Sequence, residues 1–456
     1  ILALLADDRG ANLATLGAIL LFGMTVTELR HTPAPPTGTP GEYEIIVRER
    51  LSEREGKTAS GTTIRARRNS ATGEWLPAAG NLVVRCDSST ALNPGDRAVV
   101  RGKIYPFTAR HGGYGRLMTR RGYVGTLYLN RSSLLLRDTL HRELSPKHLS
   151  LFLHERAVAR LDRLALAPDE QALCNAMTAG DRRSLSPALR AAYSRSGTSH
   201  LLAVSGLHVG IVFLLANLLL WWLPLFRHGH ILRNIAVILL IWLYAATTGF
   251  PPSVVRAALM FSVLQFALAS SSEYVGMNTL AGVAFVMLLF HPDYLFDISF
   301  QLSFIAVAGI IAWGLPLCRL LRTRRKSIDM LTATLAIGFS ASAATAPLIS
   351  HTFGQISVVG LALNPVVILL SYVVVGSCTL WLVIPGTALA PLFSVVAGFA
   401  ARAQNELIRA AAALPAAALD IRLTTTQCWI VYGLFIFATL LLWSAERKKS
   451  VSSLPE

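Results

Sequence analysis

A serine and two histidines stand close together at the start of the apolar half of the chain. Ser205 and His208 are three residues apart, a spacing that places both on one face of a helix, where an imidazole can activate a hydroxyl as a nucleophile. No acidic residue that could orient the imidazole lies nearby, and no nucleophile elbow surrounds the serine. His200 and His208 could together ligate a metal, but no third ligand has a suitable spacing. We therefore expect no metal and no catalytic residue, and an intramembrane hydrolase using Ser205 and His208 is a minor alternative.

Further polar side chains recur inside the apolar half, where a bilayer makes them costly and where they usually mark a pathway. Arg256 follows a proline-containing turn, and a cation there could contact passing phosphates, pair with Asp297 or snorkel to the headgroups. Asp297 and Gln301 fall on roughly one face of a helix. Prolines after Ala346 and Asn364 predict helix breaks, which are tolerated at membrane depth where they line a cavity or are buried in protein. Together these signals predict an aqueous path that includes His200, Ser205, Gly206, His208, Arg256, Asp297, Gln301 and Asn364.

Long apolar segments must position these side chains. The chain has 456 residues, of which 53% are hydrophobic and 15% charged, and the charge lies mostly before residue 200. Several later segments reach the roughly 18 to 20 apolar residues that cross a bilayer. We predict nine spans there, near residues 200–223, 234–250, 254–270, 277–291, 298–317, 328–349, 357–384, 388–413 and 427–444. One further span is predicted at residues 13–29, followed by a proline-rich linker.

Three basic clusters orient the predicted spans. They lie at residues 227–233, 319–326 and 447–449, and the positive-inside rule places them in the cytoplasm. Four predicted spans separate the first cluster from the second, and four separate the second from the third, so each cluster returns to the same side. This count places the His200 end of the motif and the polar module outside the membrane, with the C-terminus in the cytoplasm.

A polar module lies between the first span and the apolar half. Residues 43–136 contain short runs that are typical of β-strands, separated by turn signals such as those at 93–96 and 111–113. About five strands of this length suit a small closed barrel such as the OB-fold. The predicted fold class is therefore a polytopic α-helical membrane protein with an inserted small all-β, OB-fold-like extracytoplasmic domain.

The polar module is basic. Residues 41–137 contain 17 Lys and Arg against 8 Asp and Glu, a net charge of +9 out of +16 for the whole chain. Such a balance favours a polyanion, either nucleic acid or anionic lipid. Aromatic residues lie among the arginines, and this combination suits single-stranded nucleic acid, although core packing of about half the aromatics with a solvated basic face is the alternative. The predicted DNA-binding residues are Arg65, Arg67, Arg68, Arg101, Lys103, Tyr105, Arg120 and Arg121.

An amphipathic segment at residues 146–166 follows the module. It could lie on the membrane surface or pack on the barrel. The predicted domains are an N-terminal transmembrane helix with its linker (1–39), the OB-like barrel (40–137), an amphipathic or interfacial helical connector (138–198), a membrane domain with about nine spans (199–446) and a cytoplasmic tail (447–456).

The segment SGTSHLLAVSGLH at residues 196–208 closely resembles the hallmark of the ComEC family, the DNA-translocation channels of bacterial competence. Other segments fit the same family in order, namely residues 179–182, 252–257, 297–304, 345–348 and 364–365. The resemblance covers most of the chain. It implies an OB-like domain followed by a competence membrane domain.

The resemblance implies uptake of transforming DNA through the bacterial cytoplasmic (inner) membrane. A duplex reaches the outer face, one strand is degraded, and the other passes through the channel. The implied partners are single-stranded DNA, membrane lipid, a DNA-receptor protein outside, a separate nuclease and a cytoplasmic ATP-driven motor. A homo-oligomer of the chain is an open alternative to a monomer.

Many family members end in a metallo-β-lactamase-like domain, which this sequence lacks, so the resemblance implies that a nuclease would need another protein or a missing segment. A phosphate-binding GxxxxGK[ST] motif does not occur either, so we expect no nuclease activity, no ATPase activity and no cofactor. A small-solute transporter is the main alternative, which would explain the spans but not the basic barrel.

Overall fold

The computed structural model describes residue 38 and residues 40–452, apart from 55–56, 70–71, 88–89, 91, 93–94, 108–114, 116–117, 120–121, 139–145, 271–275, 324, 358, 385–389 and 415–416. The predicted span at 13–29 and its linker lie outside the described residues. The chain divides into two compact units, one containing residues up to Leu153 together with Met287–Phe296, the other containing His154–Val286 and Asp297–Glu456.

The first unit contains a closed β-barrel. Its strands are β1 (Pro40–Arg54), β2 (Lys57–Arg68), β3 (Trp75–Asp87), β4 (Arg97–Pro106), β5 (Tyr123–Leu129) and β6 (Leu134–Asp138). They pair in the order β1-β2-β3-β5-β4-β6, and an additional β1–β4 pairing closes the barrel. The β3–β5 pair is parallel and the others are antiparallel. The predicted small all-β, OB-fold-like domain is confirmed.

Alternation along each strand builds the barrel core, because successive strand side chains point to opposite faces. On β4, Ala98, Val100 and Ile104 are buried, whereas Lys103 and Tyr105 point outward. The five strands that form the closed ring, β1 to β5, all contribute inward side chains to the core. The fully or almost fully buried ones include Tyr43, Ile45, Ile64, Leu82, Val84 and Leu127. Each such aliphatic side chain contributes about 1.5–3 kcal/mol by leaving water.

The second unit is helical, and its first helix begins before its boundary. The helices are α1 (Pro146–Leu161), α2 (Pro168–Thr178), α3 (Pro187–Arg195), α4 (Gly206–Leu219), α5 (Gly229–Thr247), α6 (Pro252–Ser270), α7 (Gly276–Phe290), α8 (Ile298–Gly309), α9 (Leu315–Leu320), α10 (Lys326–Phe353), α11 (Val359–Val383), α12 (Ala390–Ala412) and α13 (Thr425–Ser452). A π-helical turn, Ile310–Gly314, joins α8 to α9, and a two-stranded ribbon pairs β7 (Ile356–Ser357) with β8 (Ala418–Leu419).

Within the described residues, five helical segments are long and apolar enough to cross a membrane. They are Gly206–Leu225, Gly229–Thr247, Ile298–Leu320, Ile328–Phe353 and Ala362–Val383. Three shorter apolar helices are Pro252–Leu268, Gly276–Phe290 and Thr425–Thr439. The predicted multi-pass helical membrane fold is confirmed.

The predicted span at 388–413 does not meet the same criterion. It folds as α12, which carries Arg402, Glu406 and Arg409 and buries Gln404 and Asn405 in the helical unit. These polar groups lower its hydropathy below that of the five segments. The nine-span count therefore stays a prediction, as does the orientation deduced from it.

Helix α4 lies between two apolar clusters of the helical unit. Leu207, Ile211 and Leu215 pack in the cluster that includes residues of α11, whereas Val209 and Val212 pack in the cluster shared with α5 and α6. Burial on both sides fixes how α4 is rotated about its axis. The amino end of α4 is thereby held at one place in the bundle.

The C-terminal half of the amphipathic segment contributes to the helical core. Val158, Leu161 and Leu164 are buried there. Trp381 Nε1 donates to Arg160 O at 3.1 Å, and Ser394 Oγ donates to Leu164 O at 3.0 Å. Residues 154–164 are thus an integral part of the helical unit.

Candidate functional site

The first residues of the 196–208 motif anchor the turn after α3. The Ser196 and Thr198 hydroxyls are 2.7 Å apart, and Thr198 N donates to Tyr193 O at 3.0 Å. Gly197 has a φ of +74°, and a Cβ at this position would collide with Ser357 of β7. A glycine is required here both by the left-handed backbone and by the close approach. This part of the motif has a structural role.

His200 lies in a 3-10 turn, Ser199–Leu202, that precedes α4. Leu201 and Leu202 point into the core, whereas His200 is exposed. The surrounding protein nevertheless lowers the pKa of His200 by desolvation, opposed by a hydrogen bond with the backbone of Gly197. Desolvation therefore favours the neutral imidazole. The predicted span near 200–223 therefore begins only at Gly206, after this turn.

Ser205 and His208 form the amino end of α4. Ser205 is the N-cap residue, and its backbone N–H donates to His208 Nδ1 at 3.0 Å. A neutral imidazole that accepts at Nδ1 carries its proton on Nε2. His208 is fully buried, and its Nε2 has no hydrogen-bond partner. Neither ring nitrogen bonds the Ser205 hydroxyl, so the contact that the hydrolase alternative requires is not formed.

Metal binding by the two histidines finds no further support. In the part of the chain that the structure describes, no group of three or more His, Cys, Asp and Glu side chains is placed to hold a metal ion. His208 Nδ1 is already occupied by the backbone N–H of Ser205.

Arg256 of α6 points at the amino end of α4. Its side chain is buried, with 6% exposed. A Cβ on Gly206 would lie 2.8 Å from Arg256 Nη2, so the guanidinium lies against the first residue of α4. Arg256 Cζ is 5.9 Å from the centroid of the Phe304 ring, and Nη1 is 3.8 Å from Met260 Sδ. The snorkelling alternative is therefore wrong.

Arg256 also lacks an anionic partner. Its Nε is buried without a hydrogen bond, and no described carboxylate lies within salt-bridge distance of the guanidinium. Asp297, the partner considered from the sequence, caps α8 instead: its Oδ1 accepts from Ser299 N at 2.8 Å and from Phe300 N at 3.2 Å. A carboxylate at this position stabilises the helix start. Among the described residues, this buried cation therefore has no counter-ion.

Gln301 and Asn364 have different environments. Gln301 is half-buried on α8. Asn364 is on α11, and its Oδ1 is buried without a hydrogen-bond partner. Helices α10 and α11 continue through Pro347 and Pro365, so the two predicted helix breaks are wrong. The irregular backbone lies instead in the π-helical turn Ile310–Gly314, which the sequence did not indicate.

Three sequence-distant segments meet near the start of α4. Gly180 has a φ of +83°, and a Cβ there would lie 3.3 Å from Val204 Cγ2 and 3.6 Å from Thr248 O. Ser253 Oγ donates to Val204 O at 3.0 Å. The loop after α2, the turn before α4 and the turn before α6 therefore hold one another in place. Arg256, three residues after Ser253, is positioned by the same junction.

The loop after α2 is fixed by an internal ion pair. Asp181 is buried and accepts from Arg183 Nε and Nη2, both at 2.9 Å. Burial tends to raise the pKa of Asp181, but the bonds from Arg183 outweigh it and lower that pKa below its ordinary value. The carboxylate is therefore ionised at neutral pH and locks the loop.

An aromatic pair lies on the outer face of the barrel. Tyr105 of β4 is 47% exposed and Tyr128 of β5 is 52% exposed. Their ring centroids are 5.8 Å apart in an edge-to-face arrangement, and Lys103 Nζ lies 5.7 Å from the Tyr105 ring. Tyr128 was missed in the sequence-based list, although its place in the alternation of β5 is a signal for an outward side chain. These two rings and the lysine form what we call the tyrosine platform.

The predicted arginines of the barrel differ in their availability. Glu42 accepts from both Arg68, at 3.1 Å, and Arg101. Hydrogen bonds from these two arginines lower the pKa of Glu42, so its carboxylate neutralises part of their charge. Arg65 is exposed, and Arg67 is half-buried with an unbonded Nε. Arg120 and Arg121 lie outside the described residues.

Comparison with known proteins places the chain in a family. A profile of the family described as Competence protein matches residues 177–448. ComE operon protein 3 of Bacillus subtilis (strain 168) is 33% identical over 204 residues, which are 44% of this chain and 24% of that protein. An uncharacterized protein of Aquifex aeolicus (strain VF5) is 29% identical over 201 residues, 44% of this chain and 45% of that protein. The match thus spans less than half the length of either relative.

No solved structure matches the chain. The family profile covers more than half of the 456 residues, and it includes the 196–208 motif that resembles the ComEC hallmark. The chain belongs to the Competence protein family, as a member of the ComEC type.

Proposed function

We propose that this protein is a channel of the bacterial cytoplasmic membrane that admits single-stranded DNA during competence. The observation that carries the proposal is Arg256, which is buried in an apolar bundle of a Competence protein and has no carboxylate partner among the described residues. A cation without a counter-ion is costly in such a place, so it favours a path for an anion. DNA is the polyanion that a role in competence supplies.

The path in this proposal follows the buried polar groups of the bundle. His208 Nε2, Arg256 Nε and Asn364 Oδ1 are each buried without a protein partner. Such groups cost about 1–3 kcal/mol each unless water or a ligand satisfies them. The other proposed pathway residues are His200, Ser205, Gly206 and Gln301, while Asp297 supports the path by holding the start of α8.

The barrel binds the strand outside the membrane in this proposal. The tyrosine platform offers two aromatic faces for bases and a lysine for the backbone, which is the combination that sequence-tolerant single-strand binding needs. The proposed orientation places the barrel outside and the C-terminus in the cytoplasm. A DNA receptor, a nuclease, an ATP-driven motor and lipid remain proposed partners, and the oligomeric state is open to the same experiments.

A labelled-DNA uptake assay tests the function. A strain deleted for its own competence channel is complemented with this chain, and surface-bound and internalised strands are scored separately. We expect internalised single strands with the chain and only surface-bound duplex without it. Equal internalisation in both strains, at matched membrane abundance, contradicts the channel proposal.

A further inference from the structure

The amino end of α4 and Arg256 are both electropositive and lie in contact. The first amide N–H groups of a helix have no partner within the helix backbone, and the helix dipole adds positive character at this end. In α4 the Ser205–His208 capping box takes up the N–H groups of these two residues, so the N–H groups of Gly206 and Leu207 are the ones that a ligand could use. α4 has 14 residues, so its dipole is fully developed. Arg256 Nη2 approaches the position of the missing Gly206 Cβ at 2.8 Å. A cation is the unfavourable charge at a helix amino end, and no described carboxylate pairs with the guanidinium there.

The protein contacts of Arg256 compensate only a small part of this cost. The Phe304 ring, at 5.9 Å from Cζ, and the Met260 thioether, at 3.8 Å from Nη1, are weak partners for a guanidinium. Its Nε has no hydrogen-bond partner, and the Asp297 carboxylate caps α8 instead of pairing with it. Arg256 is only 6% exposed, a degree of burial at which an arginine is normally paired, yet it has no carboxylate partner in the part of the chain that the structure describes.

We infer that Arg256 and the amino end of α4 form a binding site for one phosphate anion of the phosphodiester type. The planar guanidinium presents N–H donors in a fork that matches phosphate oxygens, and helix amino ends bind phosphates through backbone N–H groups. Gly206 is part of the site because any side chain there would push the guanidinium away. The inference deepens the proposed function, since a DNA backbone supplies this anion, and a lipid headgroup offers the same chemistry.

The test uses the purified full chain in a maltoside detergent, which contains no phosphate. Thermal unfolding is followed in chloride and in inorganic phosphate at equal ionic strength and pH. We expect phosphate to stabilise the wild type and R233Q, a matched control whose guanidinium is already bonded to Asn217 Oδ1 at 2.9 Å. We expect R256Q to bind phosphate about tenfold more weakly, since a charge-assisted bond is lost. Gly206→Ala should act in the same direction, because its Cβ displaces only the flexible end of Arg256.

A second variant separates a ligand site from a structural arginine. Arg256→Met keeps the length of the side chain and removes the charge. A site kept for an anion predicts that R256M unfolds in chloride at the same temperature as wild type or higher, and that phosphate no longer stabilises it. A lower unfolding temperature in chloride, or an undiminished phosphate effect in R256Q, overturns the inference.

Two further arms identify the source of the phosphate. A short oligothymidylate should stabilise wild type more than its uncharged methylphosphonate analogue does, and R256Q should abolish that difference. If a short-chain phosphatidylglycerol competes away the oligothymidylate effect, the occupant is a lipid phosphate at the same site. Normal DNA uptake by R256Q overturns the assignment of this site to the DNA backbone and leaves a lipid phosphate as its occupant, whereas failure of wild-type uptake with phosphate binding intact contradicts the channel proposal alone.

Discussion

Removal of the Tyr128 ring tests whether the barrel binds DNA through its tyrosine platform. Tyr128 is 52% exposed, so Tyr128→Ala removes little core packing and should leave the barrel folded. Stacking of a base on an aromatic side chain is worth about 1–3 kcal/mol. The variant should therefore bind single-stranded DNA on the order of tenfold more weakly, since about 1.4 kcal/mol corresponds to tenfold.

The double variant Tyr105→Ala/Tyr128→Ala should lose less than the sum of the two single losses. The ring centroids are 5.8 Å apart, and residues in contact are coupled. The assay is fluorescence anisotropy of a labelled oligothymidylate with the full chain, repeated over a series of salt concentrations. Stacking is uncharged, so the salt slope should not change in Tyr128→Ala, whereas Lys103→Ala should reduce it by about 0.7.

Trp75→Ala is the matched control for the platform. Trp75 is 43% exposed on the same barrel, at the start of β3, whereas the register partner of Tyr128 on that strand is Arg85. Arg85 lies ten positions after Trp75 on β3. If Trp75→Ala weakens binding as much as Tyr128→Ala does, or if Tyr128→Ala binds like wild type, the platform is not the DNA site.

Three other predictions concern the helical unit. The pKa of Asp181 is lowered, so the stabilising contribution of its carboxylate is complete above the unfolded pKa of about 3.9 and is lost as the pH falls through the folded pKa. The unfolding temperature of Asp181→Asn should therefore fall less on acidification than that of wild type. An equal fall in both contradicts this reasoning. Asp297→Ala should lower the free energy of unfolding by about 1 kcal/mol, whereas Asp297→Asn should keep most of the wild-type stability, because Asn also caps helices. Impaired DNA uptake by Asp297→Asn at normal stability would instead assign a role to the negative charge. The adjacent Cys378 thiol and burial raise the pKa of Cys174 well above its ordinary value. After maleimide treatment of the folded protein at pH 8, mass spectrometry should therefore find Cys174 unlabelled and the less buried Cys318 labelled. Similar labelling of both cysteines refutes this prediction.

The barrel could be predicted from the sequence because its signals are local. Strand alternation, as along β4, and turn residues between the runs identify each strand within its own residues. The closure cannot be read in the same way, since the β1–β4 pair joins residues such as Tyr43 and Val100 that are far apart in the chain. The sequence also does not show which arginines are available to bind DNA, because Glu42 on β1 pairs with Arg68 and Arg101 from two other strands.

The proline positions show why local rules fail inside the bundle. A proline removes one backbone hydrogen bond and disfavours the helix, so breaks near Pro347 and Pro365 were the expected result. Both helices continue, since packing by neighbouring helices stabilises them more than one lost bond costs. The π-helical turn instead follows Gly309, whose position allows α8 to approach Ala344 of α10 so closely that a Cβ would lie only 2.5 Å from that side chain.

The environment of Arg256 depends on contacts that no single segment encodes. The local sequence at residues 252–257 is compatible with three environments of Arg256, namely the headgroup region, a pair with Asp297 or a path through the bundle. The rotation of α6 about its axis decides which of the three environments the guanidinium has. That rotation is fixed by Ser253, which bonds Val204, and by Val254 and Ala257 in the cluster shared with α4. Because Gly180 packs on Val204, the loop after α2 also bears on the direction of the guanidinium. Contacts between segments that are distant in sequence therefore together hold the Arg256 guanidinium against the amino end of α4.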